Sequence, residues 1–504
     1  MSDGRQPSPL ELEVKDFGPI AEGKIELRPL TVFVGPSNTG KSYLAILIYA
    51  LHRHFSRSAW PPRYPRAYLP RQMGTSERLR RETVDALRGM AEMLARQRDT
   101  SAGGRIVLPG AMRDALVSEL RRERRAVERE VQRCFGVDRR GSLVRKGRAE
   151  RAQVTLRRQF PNDLSQFEYA LTLGRAVSEI SMTPPGQLEV PIDSEDGILT
   201  IGRLREIAQG PVEEGNIGDE RRYWARRLIA ELTTRVLSRL FDPLDRQAFY
   251  LPADRTGVMH AHSVVVSALV EGAAMAGLRP PARTAMLSGV MADFLEQLIE
   301  LDRSPGRGRG ELGARIEDSI LGGAVRVDRS PTTGYPSFAY RPNGWKNDLP
   351  LMNASSMVSE LAPVVLYLRH MVRQGDLLIV EEPESHLHPA MQVQFTRQLA
   401  AVVLSGVRVI VTTHSEWLLD ELANIVQRSE LPEARSGEPQ IDRPALSPDQ
   451  VGAWLFQPKS RPKGSRVSEI RLDESGVYPS GFDDVAVALH NDWAGISSRI
   501  ADRA

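Results

Sequence analysis

The chain has 504 residues, 67 Lys+Arg against 64 Asp+Glu, a formal charge of +3 and 41% hydrophobic residues. That length gives room for about three domains or one large domain with insertions, and the apolar content excludes a wholly disordered chain. The single cysteine, Cys134, excludes a disulfide framework and any multi-cysteine zinc or iron–sulfur site.

The longest apolar runs, such as residues 44–51, are about half of the ~18 residues a membrane span needs. The N-terminus has no apolar signal core, so the expected location is cytoplasmic, with no membrane partner. The basic residues are 60 Arg and 7 Lys, a bias that a GC-rich codon habit explains without nucleic acid. Charge is unevenly spread: residues 71–160 hold 23 Lys+Arg and 12 Asp+Glu, a net of +11, leaving −8 for the rest. A shift of that size suggests an inserted module.

In chain order, three short strand-like runs come first, at 10–14, 23–27 and 30–34. The last is continuous and β-branched, as a buried strand should be, and it feeds a glycine-rich turn and an apolar helix from Tyr43 to about His54. A proline cluster at 60–65 ends this unit. Two helical stripes follow, Leu79, Val84, Leu87, Met90, Leu94 and then Met112, Leu116, Leu120, Val127, Val131, joined by a glycine link at 101–104. They predict an α-hairpin with arms of about 35 Å. Its outer face carries Arg121, Arg122, Arg124 and Arg125, which fits a phosphate-binding surface or a solvated face balanced by Glu119, Glu123, Glu128 and Glu130.

A β-hairpin is expected at 187–202, an amphipathic helix near 221–240, a strand at 248–252 leading into Asp254 and Arg255, and helices over 263–302. Residues 305–313 read as a Gly/Arg-rich linker or mobile loop. From 324 to 425 strands and helices alternate, which argues a parallel sheet. Strands at 467–472 and an amphipathic helix over 482–500 close the chain.

The residues Gly35, Pro36, Ser37, Asn38, Thr39, Gly40, Lys41 and Ser42 fit the pattern G-x-x-x-x-G-K-[ST], between a buried strand and a helix. The glycines let successive N–H groups turn toward phosphate, and the helix N-terminus adds partial positive charge. Lys41 would reach the β- and γ-phosphates and Ser42 would place its hydroxyl on Mg2+.

The run at 376–384 is an apolar strand that ends in Glu381, Glu382 and, after Pro383, Glu384. Glu381 would hold the Mg2+ shell, and Glu382 would sit where an attacking water loses its proton. The other reading makes these acids helix N-terminal charges, worth about 1 kcal/mol. Adjacent carboxylates at a buried strand end are costly without a cation, which favours the first. The run at 407–415 repeats the design and delivers His414, a capping residue or a γ-phosphate sensor.

These motifs resemble the ABC-type ATPases of the OLD/RecF/SMC branch. The phosphate loop, Ile-Val-Glu-Glu-Pro-Glu-Ser-His-Leu-His-Pro at 379–389 and Thr-Thr-His-Ser at 412–415 carry the likeness, over about 8–55 and 245–480. The resemblance implies an α/β head, a mixed or parallel sheet flanked by helices, that binds ATP and Mg2+ and dimerises head-to-tail around two ATP molecules. By position, Glu381 becomes the acid on the metal, Glu382 the catalytic base and His414 the switch histidine.

Such a dimer needs a signature segment before the acidic strand. Residues 353–361 lie there, and Ser355 and Ser356 would face the partner's γ-phosphate. Relatives usually have glycine where Met357 stands. The Tyr-Leu-Pro-Ala-Asp-Arg stretch also recurs among them, and makes Arg255 a candidate phosphate contact.

His260-x-His262 and His386-x-His388 have the spacing of metal pairs. The second belongs to the family motif, which leaves a metallohydrolase as a minor alternative. The chain has no Asp-x-Asp, and 90 residues follow His414, so no fused Toprim nuclease is expected.

The expected plan is 1–70 as the first part of an ATPase head, 71–240 as a large, mainly helical insertion with a small β-hairpin, and 241–504 as the rest of the head. The implied function is ATP-driven head dimerisation that gates a DNA- or effector-linked process, in phage defence or DNA maintenance. The alternative is a hydrolysis-poor scaffold that restrains a nuclease or toxin encoded nearby.

Overall fold

The computed structural model describes residues 8–56, 105–107, 110–147, 149–160, 166–175, 178–185, 189–191, 234–261, 287–301, 310–329, 336–432, 443–460, 463–473, 476–478 and 490–494. The expected proline cluster, first helical stripe and glycine link lie outside them. So do most of the 187–202 hairpin, most of the helix at 221–240, His262, the stretch 302–309 and most of the C-terminal helix.

The elements run β1 (Glu11–Phe17), β2 (Ile20–Glu26), β3 (Leu30–Val34), α1 (Lys41–Phe55), β4 (Arg105–Val107), α2 (Gly110–Arg122), α3 (Arg124–Phe135), β5 (Arg151–Gln159), β6 (Gln166–Gly174), β7 (Ser178–Thr183) and β8 (Glu189–Pro191). They continue with β9 (Ala248–Leu251), α4 (Gly289–Glu300), α5 (Gly310–Ile316), β10 (Gly323–Arg329), β11 (Pro336–Pro342), β12 (Leu349–Pro350), α6 (Ser356–His370), β13 (Leu377–Glu381), α7 (Pro389–Leu404), β14 (Arg408–Thr413), α8 (Glu416–Arg428), β15 (Val451–Ser460), β16 (Lys463–Asp473) and β17 (Gly476–Tyr478). The chain divides into two compact units, one of Met1–Phe17 with Leu47–Gln247 and one of Gly18–Ile46 with Ala248–Ala504. No helix among the described residues is long and apolar enough to cross a membrane.

The second unit has the expected α/β character: a large mixed sheet with helices between its strands. Its strand order is β2-β16-β15-β3-β14-β13-β9. The pairs β9/β13, β13/β14, β14/β3 and β3/β15 are parallel, whereas β15/β16 is antiparallel. Strands β3 and β13 are buried at every position. That explains their unbroken apolar sequences, because a parallel strand covered on both faces has no solvent side to alternate toward.

The registers Glu381↔Thr412 and Thr413↔Val34 bring the carboxyl ends of β13, β14 and β3 level with one another. Ligands in open α/β sheets bind outside such ends. The expected alternation from 324 onward needs one correction: β10, β11 and β12 form a separate antiparallel sheet, and the parallel pattern begins only at β13. Residues 310–313, expected within a loop, open α5.

The first unit departs further from expectation. Residues 151–183 form three antiparallel strands, with β5 also paired to β1. Residues 151–183, expected inside a mainly helical insertion, are therefore β-structure. Ala152, Val154 and Leu156 alternate inward along β5, as a half-buried strand requires. The long arm expected over 112–131 is two helices that break at Glu123, and α3 ends on Gly136 in a left-handed cap. The side chains of Met112, Leu116 and Glu119 lie outside the described residues. Strand β8 pairs with β4, a partner that the expected hairpin did not include.

Phe55 stacks on Phe241 at 4.0 Å, and Phe167 and Tyr169 meet Phe241 edge-on at 5.3 and 5.5 Å. On α3, Val127, Val131 and Cys134 face inward; Arg121 and Arg122 of α2 and Arg125 and Arg129 of α3 are exposed, whereas Arg124, expected on the same outer face, is half-buried. Two of the balancing acids are otherwise engaged: Glu128 is buried, and Glu130 pairs with Arg133 at 2.7 Å and Arg53 at 3.7 Å.

His54 has its Nε2 buried without a hydrogen-bond partner. Burial pulls its imidazole down to about 4, against the opposing charge of Glu130. Between pH 6.5 and 4 the unfolded chain therefore binds a proton that the folded chain refuses. The stability involved is complete above pH 6.5 and falls as the pH drops toward 4, by at most about 1.4 kcal/mol per unit. His54→Leu should flatten this part of the curve, measured by urea unfolding between pH 7 and 4.5. An unchanged slope would contradict the assignment.

Candidate active site

The phosphate loop leaves β3 and enters α1 as expected. Gly35 has φ +139° and Gly40 φ +102°. A Cβ on Gly35 would lie 2.5 Å from the Phe456 carbonyl oxygen, and one on Gly40 2.7 Å from Ile20 Cγ1. Both positions thus require glycine for backbone conformation and for space. Pro36, Ser37 and Asn38 form an exposed tip, with Asn38 also at positive φ (63°), and the Thr39 hydroxyl donates to the Pro36 carbonyl at 2.8 Å.

Lys41 is buried behind this tip. Its Nζ donates to the carbonyls of Gly35 at 2.8 Å and Pro36 at 2.9 Å, and lies 3.0 Å from His414 Nε2. Burial pulls the amine below its ordinary range, opposed by the charges of Glu382, Glu384 and Glu381. Since an ammonium can only donate, His414 Nε2 is assigned as the acceptor, which puts the imidazole proton on Nδ1.

Glu381 closes β13 with its carboxylate almost wholly buried. Its Oε2 accepts from the Ala253 N–H at 3.2 Å, while Oε1 is buried without a hydrogen-bond partner. Burial pushes this carboxyl above the usual range, and the adjoining Ser42 hydroxyl is the largest opposing influence. A buried carboxylate with one oxygen unsatisfied, beside a serine hydroxyl, is a donor set that suits a hard divalent cation.

Glu382 has φ +42°, left-handed for a non-glycine residue. Such a conformation costs about 1–3 kcal/mol and persists only when its surroundings hold it. Here the Glu382 N–H donates to the Thr412 carbonyl at 2.8 Å. Its side chain is partly exposed, so solvent reaches it, and Oε1 lies 3.6 Å from His414 Nε2. Burial, reinforced by the Lys41 charge, lowers the imidazole's pKa, against the attraction of Glu382.

Glu384 is a site residue that the sequence reading passed over. Its Oε1 accepts from the His414 N–H at 2.6 Å and from the Thr413 hydroxyl at 2.8 Å, which sets the backbone from which His414 projects. Burial raises its carboxyl pKa against those hydrogen bonds. The signal was present as the third acid of Glu-Glu-Pro-Glu, but its role depends on a contact 30 residues downstream.

Ser355 and Ser356 are exposed at the start of α6. Ser355 is the N-cap and accepts from the Val358 N–H at 3.4 Å. No described hydrogen bond joins either serine to the phosphate loop of the same chain. Arg255 does not sit where the sequence reading put it. It is fully buried, and its guanidinium bonds to protein groups and not to an open phosphate site. His388 is the N-cap of α7 through Nδ1, and no group of three or more metal-ligating side chains occurs among the described residues.

Residues 313–419 match the AAA ATPase domain family. The chain carries an ATPase domain. The match spans α6, β13 and β14, and thus Ser355, Ser356, Glu381, Glu382 and His414. No curated protein matches the sequence. Similar solved structures include an SMC head bound to the C-winged helix domain of ScpA, at 12% identity, 92% coverage of this chain, 98% of that one and a TM-score of 0.39. An SMC head domain from Thermotoga maritima matches at 12% identity, 92% and 99% coverage and a TM-score of 0.34. An Smc head with an extended coiled coil, bound to the C-terminal domain of ScpA derived from Pyrococcus furiosus, matches at 12% identity, 93% and 98% coverage and a TM-score of 0.37.

Proposed function

We propose that this ATPase is an OLD/RecF-like, ABC-type enzyme in which two copies close around two ATP molecules and reopen on hydrolysis. The observation that carries the reading is the convergence of Lys41, Glu382 and His414, with 3.0 Å and 3.6 Å contacts, at the level carboxyl ends of three adjacent parallel strands. Loop N–H groups and Lys41 hold the phosphates, Glu382 takes the proton from the attacking water, and His414, oriented by Glu384, senses the γ-phosphate. Ser42 and Glu381 would hold Mg2+, which when bound neutralises phosphate charge.

The serines at the start of α6 would meet the γ-phosphate of the second copy, since they are exposed and α6 is a full helix whose N-terminus suits an anion. The cycle would gate a DNA- or effector-linked process, the effector being a nuclease or toxin encoded nearby. Three of the four arginines expected on the basic face, Arg121, Arg122 and Arg125, are exposed and support the DNA branch, because two of the acids expected to balance them face elsewhere.

Sedimentation tests the dimer. ATP with Mg2+ should double the mass of the Glu382→Gln protein, and adding Ser356→Arg should hold it monomeric with ATP still bound. An unchanged mass on ATP addition would sink the head-to-tail dimer. Met357, half-buried in the first turn of α6 where relatives usually have glycine, favours a second reading in which ATP assembles a scaffold with little turnover. ATP-dependent dimers of wild-type protein that release no phosphate would select it.

A further inference from the structure

We infer that Arg255 is a positioning residue that couples the serine-bearing start of α6 to the catalytic end of β13. The inference deepens the ATPase reading above and rests on it. Arg255 heads the largest fully buried side chains, with 0% exposure, and begins the helical stretch 255–261 just after β9. One side of its guanidinium engages α6: Nε donates to the Glu360 carbonyl at 3.1 Å, and Nη2 pairs with the Glu360 carboxylate. The other side engages the acidic strand end, with Nη1 donating to the Glu381 carbonyl at 2.5 Å and Nη2 lying 3.4 Å from the Glu382 carbonyl.

Those two carbonyls flank the left-handed Glu382 backbone. Arg255 therefore holds the peptide groups on both sides of the residue whose carboxylate must meet water. The 255–261 stretch has two further ties to the same turn of α6: the Thr256 hydroxyl donates to the Glu360 carboxylate, and His260 Nε2 lies 3.1 Å from Ser359 Oγ.

A guanidinium is planar and its five donors sit in a fixed fork, so it cannot follow one partner without releasing another. A shift of the α6 start, where Ser355 and Ser356 sit, must therefore be felt at Glu381 and Glu382, and the reverse. A purely structural ion pair would need Glu360 alone. Spanning an ion pair on one element and consecutive carbonyls on another is what a coupling element requires.

Hydrogen–deuterium exchange with Mg2+ and ADP tests this, because ADP lacks the γ-phosphate that a second copy would engage. In wild-type protein, nucleotide should slow exchange across 356–362 at least threefold. Arg255→Lys and Thr256→Val should bind ADP within twofold of wild type but lose that slowing. Arg255→Lys should also lower kcat at least tenfold with KM for ATP within twofold, and Thr256→Val about threefold. Equal slowing in the variants, or none in nucleotide-bound wild type, overturns the coupling. So does a parallel loss of binding and turnover, which marks a merely structural anchor. If Arg255→Lys does not fold, the isosteric Thr256→Val decides alone. A wild-type chain that binds no nucleotide overturns the ATPase reading itself, and this inference with it.

Discussion

Glu382→Gln should reduce phosphate release from ATP by at least about 100-fold and leave nucleotide binding within a few-fold of wild type. A positioned general base contributes roughly 10²–10⁴ in rate, and an amide cannot take the proton. The variant keeps the shape, the backbone bond to Thr412 and the φ of +42°, so the fold should be spared. Its partly exposed carboxylate, 3.6 Å from His414, is placed to meet a water that Glu381, buried at the same strand end, cannot reach. Single-turnover phosphate release read beside binding of a fluorescent ATP analogue is the measurement. Turnover within threefold of wild type would remove Glu382 from the base position. Loss of binding as large as the loss of turnover would make it a structural residue.

Lys41→Met should weaken ATP affinity by at least about 100-fold, roughly 3 kcal/mol, while leaving the nucleotide-free protein within about 1 kcal/mol of wild-type stability. Two opposing effects give the second figure. Burial of the ammonium is unfavourable, as its lowered pKa shows, and the thioether fills similar space without that penalty. Against this, the Gly35 and Pro36 carbonyls lose their shared donor. The linkage has a definite sign. A lysine with its pKa depressed on folding opposes folding at neutral pH and ceases to do so as pH rises toward 10.5, so the difference between the two proteins should shrink in alkaline buffer. Isothermal titration with ATP and thermal unfolding without nucleotide check both halves. An affinity within tenfold of wild type would show that the buried amine does not reach the phosphates.

Much of the site was legible because its parts are local. A buried strand, a glycine-rich turn and a helix start are contiguous at 30–42. Strands β13 and β14 likewise display their polar tips within one run each. The glycine requirement at Gly35 and Gly40 follows from backbone geometry that any phosphate loop imposes.

The first unit was harder to read. Ala152, Val154 and Leu156 do alternate along β5, but Arg151, Arg157 and Arg158 and the high charge of the neighbouring helices mask that period. Arg158 is nonetheless buried, bonded to the carbonyls of Ser8 and Arg239. Charge density along the chain is therefore a poor guide to burial wherever an arginine finds distant carbonyls. Glu123, at which the long helix breaks, carries no proline or glycine to announce it.

The sequence by itself determined that the chain has a phosphate loop, two acidic or polar strand ends and an α/β core, since each depends on residues within about ten positions. Only the tertiary structure decided which of these meet: Lys41 with His414 across 373 positions, Glu384 with the His414 backbone across 30, and Arg255 with Glu360 and Glu381 across 105 and 126. It also reversed the reading of Arg255, from a residue facing phosphate to one buried against the Glu381 and Glu360 carbonyls. The physical reason is that strand order and register, set by burial over the whole sheet, decide which ends lie level, and a local motif carries no record of its neighbours.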